Sequence, residues 1–323
     1  MILPRRLLII DGNNAFYRSY TAVPAVSVNG THVGGIVGFL KILQKACKNI
    51  KPTKVVVVWD GAGGSRKRKQ INKEYKKGRK TPRLNRSHDF LNSEEEGQNK
   101  LWQHARLISY INQLPIRQLI SDGVEADDII SWVCQNHYCD TWQKVILSND
   151  KDFIQILDEC TVLFRPVKDE FLTIPRVIQQ YGIHPNNFAL ARAIAGDRSD
   201  NLRGIKGMGL KTIAKNFTFL EEETSHLLSD IIDICKRDGG KKVTMKRIVE
   251  GEDLIRENYK TMQLYSPLLS YQTIQRLKGD LSQKINTINK TNIRAHFIKD
   301  GITNMSLENL FESCIKLQKE GTA

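Results

Sequence analysis

The chain has 323 residues and carries 49 Lys and Arg against 35 Asp and Glu, which gives a net charge of +14 and a pI near 9.5. At roughly 100–200 residues per domain, this length predicts two domains. The basic balance favours an anionic partner, and no apolar run approaches the roughly 20 residues of a membrane span.

The apolar stretch before Asp11 is too short for a signal peptide, and six scattered cysteines without a C-x-x-C pair favour a reducing compartment. We therefore expect a cytoplasmic protein.

Short apolar runs alternate with helical patterns in the first half of the chain. Runs of four or five apolar residues are typical of buried parallel strands. Strands are predicted at 7–10, 54–59, 116–120, 144–148, 161–165 and 170–174. Helices are predicted at 14–20, 34–49 and 99–113, and from starts near 125, 150 and 175. This alternation predicts an α/β fold with a doubly wound, mostly parallel sheet that ends near residue 180.

The second half is helical in pattern. A helix over 186–195 leads through the acidic turn 196–201 into a glycine-rich loop at 204–209, and a further helix runs over 210–217. Closely spaced glycines beside a helix start expose backbone N–H groups that can hold phosphates without reading bases. The candidate DNA-binding residues are Gly204, Lys206, Gly207, Gly209, Lys211, Thr212 and Lys215. Residues 221–323 are expected to be helical, and the basic residues within 236–247 to form a solvated helix face rather than a DNA-facing one.

Nine carboxylates fall where a parallel sheet would gather them at its carboxyl edge, which is where ligands bind in such folds. So many anions in one cleft require neutralisation, and hard divalent cations with oxygen ligands provide it. The candidate metal-binding residues are Asp11, Asp60, Glu125, Asp127, Asp128, Asp150, Asp152, Asp197 and Asp200. Taken without the rest, Asp197 and Asp200 could cap a turn, and the three acidic residues at 125–128 could be helix N-terminal charges.

A concentrated basic segment follows the second predicted strand. Between Ala62 and Arg86, eleven basic residues stand against one acidic residue, Glu74. The polar stretch from about 61 to 98 is too long for an ordinary connection, which indicates a functional element. A lone basic run is more often a solvated loop, but a basic segment beside an acidic cleft suits a substrate made of phosphates.

Seven sequence strings resemble, in the same order, the 5′-nuclease or flap endonuclease superfamily, most closely the bacteriophage 5′→3′ exonucleases and the N-terminal nuclease domain of bacterial DNA polymerase I. They span residues 7 to 215. The strings are IDGNN at 10–14 with YR at 17–18, VWD at 58–60, YKKGR at 75–79, VEADD at 124–128, SNDKD at 148–152, GDRSDN at 196–201 and GIKGMGLKT at 204–212. Trp59 and Arg198 depart mildly from the family pattern, and neither removes an expected ligand.

The resemblance implies a PIN-like nuclease core over 1–180, with a basic helical arch at 62–98, and a helix-three-turn-helix DNA-binding domain within 181–323. By position, Lys76 and Arg79 would hold the scissile phosphate, and Arg18 would contact a nearby phosphate. The first metal would be served by Asp11, Asp60, Glu125 and Asp127, the second by Asp150, Asp152, Asp197 and Asp200, with Asp128 between or behind the two groups.

The resemblance also implies an activity, a two-metal-ion 5′→3′ exonuclease and flap endonuclease acting on DNA flaps, nicks and free 5′ ends. Mg²⁺ is the expected cofactor, with Mn²⁺ as a substitute and K⁺ as an additional ion at the glycine-rich loop. We expect a stand-alone monomer in replication and repair, with RNA–DNA primers as further substrates and a polymerase or a single-stranded-DNA-binding protein as further partners. The alternatives are a catalytically silent DNA-binding scaffold and a PIN-type ribonuclease.

Overall fold

The computed structural model describes residues 5–79, 83–84, 92–137, 142–237 and 242–320. These residues contain a six-stranded sheet, whose strands are β1 (Arg5–Asp11), β2 (Lys54–Val58), β3 (Arg117–Leu119), β4 (Trp142–Leu147), β5 (Thr161–Arg165) and β6 (Glu170–Leu172). The strand order is β3-β2-β1-β4-β5-β6. The first five strands pair in parallel, and β6 is antiparallel to β5. The predicted mostly parallel sheet is confirmed.

The central strand β1 explains why helices cover both faces of the sheet. Its residues Leu7, Leu8, Ile9 and Ile10 are at most 1% exposed. Because side chains alternate along a strand, Leu7 and Ile9 enter one hydrophobic cluster while Leu8 and Ile10 enter another on the opposite face. A strand that is buried on both faces needs a continuous apolar run, which is the pattern found in the sequence.

Helices of the first half form layers on the two faces. They are α1 (Gly12–Ala22), α2 (Gly34–Ile50), α3 (Arg66–Ile71), α4 (Ser93–Ile111), α5 (Ala126–Asn136) and α6 (Ile174–Tyr181). Helices α1, α2 and α4 surround Leu8, whereas α5 packs with Leu7. The helix predicted from residue 150 is instead a short 3₁₀ helix, Asp152–Ile156. Side chains of Ser148 and Asp150 accept the N–H groups two residues onward, and such local bonds compete with α-helix formation.

The second half is helical, as the pattern predicts. Its helices are α7 (Pro185–Ala195), α8 (Leu210–Asn216), α9 (Leu228–Arg237), α10 (Val243–Glu250), α11 (Glu252–Met262), α12 (Tyr271–Ser282), α13 (Lys290–Asp300) and α14 (Leu307–Glu320). Buried residues of α7 to α12 join the cluster around Leu7, whereas Phe297 of α13 and Phe311 of α14 join the cluster around Leu8. The expected division at residue 180 falls inside α6 and stays a prediction. Within the described residues, no helix combines the length and the apolar character that a bilayer crossing needs.

The predicted arch segment, 62–98, has two structured ends. At its start, α3 packs against α11. At its end, α4 begins with a capping box in which the Asn92 side chain and the Glu95 side chain each accept the other's backbone N–H. Residues 80–82 and 85–91 lie outside the described residues, so the central part of the predicted arch does, too.

Candidate metal centre and nucleic-acid interface

The carboxyl ends of three adjacent strands meet in one acidic cleft. Asp11 ends β1, Asp60 follows β2 and Asp150 follows β4, and these strands are neighbours in the sheet. The cleft has a volume of about 510 Å³. It is lined by Asp11, Asn13, Asn14, Tyr17, Arg18, Thr21, Asp60, Lys76, Arg79, Asp127 and Asp150. The fold therefore brings together four of the predicted metal-binding carboxylates and all three predicted catalytic basic residues.

Asp11 is fixed in the floor of this cleft. Its Oδ1 accepts the backbone N–H of Asn14 at 3.1 Å, and its Oδ2 accepts the Ser148 hydroxyl at 2.9 Å. Burial raises the pKa of Asp11 to about 7, and the charges of Asp60 and Asp150 raise it as well. Gly12 is required beside it, because a Cβ there would lie 2.4 Å from the Trp59 ring. The site thus holds a buried carboxyl whose ionisation is disfavoured by burial and by neighbouring carboxylates.

Asp60 joins the end of β2 to the start of α5. Its Oδ1 accepts the backbone N–H of Ala126 at 2.8 Å, and its Oδ2 accepts the Asn13 amide at 2.7 Å. The Ala126 bond fixes the first turn of α5, which carries Asp127 into the same cleft. Burial raises the pKa of Asp127 well above its usual value, and the charge of Asp150 raises it further. A divalent cation would offset both the burial of Asp127 and its repulsion by Asp150, since a cation favours the ionised carboxylates.

A second acidic group lies where the turn after β4 meets the turn after α7. Carboxylate oxygens of Asp152, Asp197 and Asp200 all lie within 4.8 Å of one another. Arg192 of α7 pairs with Asp152 at 2.7 Å and also with Asp197. Burial raises the pKa of Asp152 to about 7 against the opposing effect of Arg192. Sequence reasoning missed Arg192, whose only signal in the sequence is that it is the one charged residue of the mostly apolar α7.

The charge of Asp150 acts on both acidic groups, the first in the cleft around Asp11 and Asp127 and the second around Asp152 and Asp200. Its charge raises the pKa values of Asp11 and Asp127 in the first group, and those of Asp152 and Asp200 in the second. Asp150 therefore couples carboxylates of the two groups electrostatically. Their assignment to individual metal ions stays a prediction.

Glu125 and Asp128 share one buried arginine. Arg68 donates to Glu125 at 2.5 Å and to both oxygens of Asp128 at 2.6 and 3.1 Å. One oxygen of Asp128 also accepts the backbone N–H of Leu268 at 3.0 Å. Asp128 does not line the cleft described above, and its position relative to the two predicted metal ions stays a prediction. Its contacts favour a structural role over direct metal binding.

The three predicted catalytic basic residues differ in their surroundings. Lys76 lies in a turn with a φ of +52°, and its backbone N–H donates to the Asp200 carbonyl at 2.8 Å. The Lys76 Nζ pairs with the Glu125 carboxylate at 2.6 Å. Arg79 lies 3.6 Å from Asp200 and is half exposed. Arg18 is exposed on α1 at the rim of the cleft. Arg79 and Arg18 are thus accessible to an incoming anion, while Lys76 is tied to a carboxylate.

One residue of the basic segment, Arg68, is buried. Arg68 is only 3% exposed and lies inside the protein, so the expectation that the whole run faces a substrate is wrong for this residue. The physical reason is that two carboxylates at the start of α5 need a buried counter-charge. Nothing in the spacing of the run distinguishes Arg68 from its exposed neighbours Arg66 and Lys69.

The glycine-rich loop connects α7 to α8 in a helix–loop–helix. Gly204 packs tightly, because a Cβ there would lie 1.9 Å from the Ala195 carbonyl oxygen. The absence of a side chain at Gly204 therefore allows the loop to pack closely against the end of α7, and its contact with DNA stays a prediction. The outward face of the loop and of α8 exposes the remaining predicted residues apart from the half-buried Thr212, namely Lys206, Gly207, Gly209, Lys211 and Lys215. A surface cleft of about 760 Å³ runs along the loop between residues 195 and 209.

Helix α10 lies beside this loop. Arg247 donates to the Lys206 carbonyl at 3.3 Å, and Lys242 donates to the Asn216 side chain at 3.3 Å. A Cβ on Gly207 would lie 3.5 Å from the Thr244 methyl group. Basic residues at α10 therefore border the exposed lysines of the loop.

Comparison with known proteins gives a consistent result. Residues 6–182 match the family model of the 5′-3′ exonuclease, N-terminal resolvase-like domain. The chain is 33% identical to a 5′-3′ exonuclease of Aquifex aeolicus over 64% of this chain and 67% of that one. It is 30% identical to the flap endonuclease Xni of a Shewanella species over 81% of this chain and 91% of that one.

Two further comparisons define the extent of the likeness. The chain is 31% identical to DNA polymerase I of Bacillus subtilis, but the match covers only 26% of that longer protein. A solved structure of the T5 5′-exonuclease with bound zinc ions has a similar fold, with a TM-score of 0.63 at 17% identity, over 98% of this chain and 100% of that one. The likeness to the solved structure concerns the fold, including the helical second half.

Proposed function

Because the chain belongs to the 5′-3′ exonuclease family, we propose that its acidic cleft hydrolyses phosphodiester bonds near the 5′ ends and flap junctions of DNA. The observation that carries this proposal is the composition of the cleft, where Arg18, Lys76 and Arg79 border four carboxylates. Carboxylates suit divalent cations, and guanidinium and ammonium groups suit a phosphate.

The donor set fits hard divalent cations. The oxygens of Asp152, Asp197 and Asp200 are close enough to share one ion. Burial, and after it the charges of neighbouring carboxylates, raise the pKa values of Asp11 and Asp127, and a bound cation would offset both causes. We propose Mg²⁺ at both acidic groups, with Mn²⁺ as a substitute. When bound, two such ions activate a water and stabilise the leaving oxygen. Potassium at the glycine-rich loop stays a prediction.

The basic residues would act on the phosphate itself. Lys76 is held at the edge of the cleft by Glu125, and Arg79 projects beside Asp200. Positive groups fixed in this way need little reorganisation when charge develops in the transition state. Arg18, exposed on α1, would contact a phosphate next to the scissile one.

The loop between α7 and α8 would bind the duplex part of the substrate. Its exposed lysines and glycines can contact phosphates without reading bases, so selection would depend on the shape of the DNA. A free 5′ end would reach the cleft past the basic segment 62–98. Since RNA primers also have 5′ ends, removal of RNA from RNA–DNA primers during replication is part of the proposal, as are a polymerase or a single-stranded-DNA-binding protein as partners.

The competing ribonuclease hypothesis is tested by substrate choice. A 5′-flap DNA duplex and a single-stranded RNA with the flap sequence should be incubated with the protein and Mg²⁺ under identical conditions. The proposal expects cleavage of the DNA near the flap junction at a much higher rate. Faster cleavage of the single-stranded RNA would assign the cleft to a PIN-type ribonuclease instead.

The raised carboxyl pKa values predict how pH controls stabilisation by Mg²⁺. Asp11 and Asp152 both have folded-state pKa values of about 7, above the usual 3.8. A raised carboxyl pKa stabilises the folded protein at low pH, and this contribution is lost as the pH rises through about 7. Mg²⁺ binds the ionised forms, so its stabilisation should grow over the same range. The measurement is the melting temperature with Mg²⁺ minus that with EDTA, from pH 5 to 8. A difference independent of pH would contradict the metal assignment.

The loop lysines predict a salt dependence of binding. Replacing Lys206, Lys211 and Lys215 together with alanine should lower duplex affinity. It should also reduce the slope of log affinity against log salt by about 0.9 for each phosphate that the protein no longer neutralises. Binding can be followed by fluorescence anisotropy with Ca²⁺ in place of Mg²⁺. A matched control replaces Lys41 and Lys48, which are exposed on α2, and should leave the slope unchanged. An unchanged slope in the triple variant would remove the loop from the duplex surface.

A further inference from the structure

Arg68 is a buried arginine at the base of the predicted arch. It lies on α3 with 3% of its surface exposed. Its guanidinium joins α3 to two other elements, because it pairs with Glu125 and Asp128 at the start of α5 and donates to the Thr261 carbonyl of α11 at 2.9 Å. A buried charge with this many partners is costly to place unless every donor is satisfied. The geometry therefore holds α3, α5 and α11 in one arrangement.

The Glu125 carboxylate is held at both of its oxygens. Oε2 accepts from Arg68 at 2.5 Å, and Oε1 accepts from Lys76 at 2.6 Å. The Tyr75 hydroxyl donates to the same carboxylate at 3.2 Å. Glu125 therefore links the buried Arg68 to the Lys76 side chain that borders the cleft, so a change at Arg68 can reach the cleft without Arg68 touching it.

A second pair of hydrogen bonds joins α3 and α5 to the segment that follows α11. Lys67, next to Arg68 on α3, donates to the Leu268 carbonyl at 2.6 Å, while Asp128 accepts the Leu268 N–H at 3.0 Å. The segment after α11 is thus joined both to α3 and to the carboxylate that Arg68 neutralises. The position of α3, and with it the turn that carries Lys76, is fixed relative to the acidic cleft.

We propose that Arg68 is a positioning residue for the nuclease reaction, which sets the orientation of Glu125 and, through it, of Lys76 and the neighbouring metal-binding carboxylates. The inference rests on the proposed function. Partners that orient the ligands of a metal site affect its affinity or activity by about 10–100-fold when they are removed. Arg68 reaches Glu125 and Asp128 with one planar guanidinium, a geometry that a lysine cannot reproduce.

The test compares Arg68→Met and Arg68→Lys with Arg106→Met. Arg106 is a matched control, because it also pairs with a buried carboxylate, Asp300 at 2.6 Å, but within the opposite hydrophobic layer. Two quantities are measured for each variant. One is the Mg²⁺ concentration for half-maximal flap cleavage, and the other is the Mg²⁺ concentration for half of the rise in melting temperature without DNA.

For Arg68→Met, both Mg²⁺ concentrations should rise by about 10-fold or more, and for Arg68→Lys by a smaller factor. For Arg106→Met, the melting temperature should fall while both Mg²⁺ concentrations stay unchanged. If Arg68→Met does not fold, Arg68→Lys alone decides. Unchanged Mg²⁺ requirements in a folded Arg68 variant would reduce Arg68 to a stabilising ion pair. Absence of cleavage by the unaltered protein would instead overturn the proposed function.

Discussion

Replacing Lys76 with alanine should lower the turnover number for 5′-flap cleavage by about 10²–10³-fold, the usual effect of removing one fixed group that stabilises transition-state charge. Affinity for the flap should change far less, because Lys76 is mostly buried and is held by Glu125 rather than presented to the duplex. Burial alone would lower the pKa of Lys76, but Tyr75 and the acidic residues Glu125, Asp127 and Asp200 raise it overall. The side chain therefore stays charged at any working pH.

Single-turnover cleavage and binding in Ca²⁺ separate the two effects of Lys76→Ala. The neighbouring Lys77 provides the control, since it is two-thirds exposed and pairs with Glu74. Lys77→Ala should retain nearly full turnover. If Lys76→Ala lost affinity and turnover by equal factors, Lys76 would be a residue that docks DNA and not one that acts on the scissile phosphate.

Replacing Asp150 with asparagine should lower the cleavage rate by at least about 10³-fold, because bound metal ions contribute several kcal/mol and each 1.4 kcal/mol is tenfold in rate. The same change should have an opposite effect on the metal-free protein. Asp150 raises the pKa values of carboxyls in both acidic groups, so its charge is repulsive there. Its removal should raise the melting temperature in EDTA by about 1–3 °C and weaken the stabilisation by Mg²⁺.

Asp169→Asn is the control for this prediction, because Asp169 is more than half exposed and pairs with Lys45 on the surface. It should change neither the cleavage rate nor the effect of Mg²⁺. A stable Asp150→Asn protein that cleaves at the normal rate would show that Asp150 does not serve a metal. A lower melting temperature in EDTA would show that its repulsion with the other carboxylates is already relieved by protein contacts.

The sheet could be predicted from sequence because its strands are short apolar runs buried on both faces. β1 and β2 followed directly from this pattern, and their ends placed Asp11 and Asp60 at one edge. The short helix after Asp150 could not be predicted in the same way. Its form depends on side-chain to backbone bonds of Ser148 and Asp150, and a hydrophobic pattern does not report such bonds.

The residues that line the cleft could be predicted from the sequence, whereas the arginines that pair with the surrounding carboxylates could not. Arg18, Lys76 and Arg79 line the cleft as the family strings implied. Arg68 and Arg192 were missed because their roles depend on which carboxylates the fold brings beside them. Arg68 lies in a run of basic residues, and Arg192 lies in a mostly apolar helix. The carboxylates with which they pair are 57 residues away for Arg68 and 40 residues away for Arg192, and the neighbouring sequence does not indicate these contacts.

Metal-dependent 5′ nuclease activity of the acidic cleft is best tested by cleavage of a 5′-labelled flap duplex with Mg²⁺ and with EDTA. We expect short labelled products cut near the flap junction in Mg²⁺, and their complete loss in EDTA. Tight, salt-sensitive binding of the flap without cleavage in either Mg²⁺ or Mn²⁺ would overturn the nuclease assignment, and would make the protein a DNA-binding scaffold.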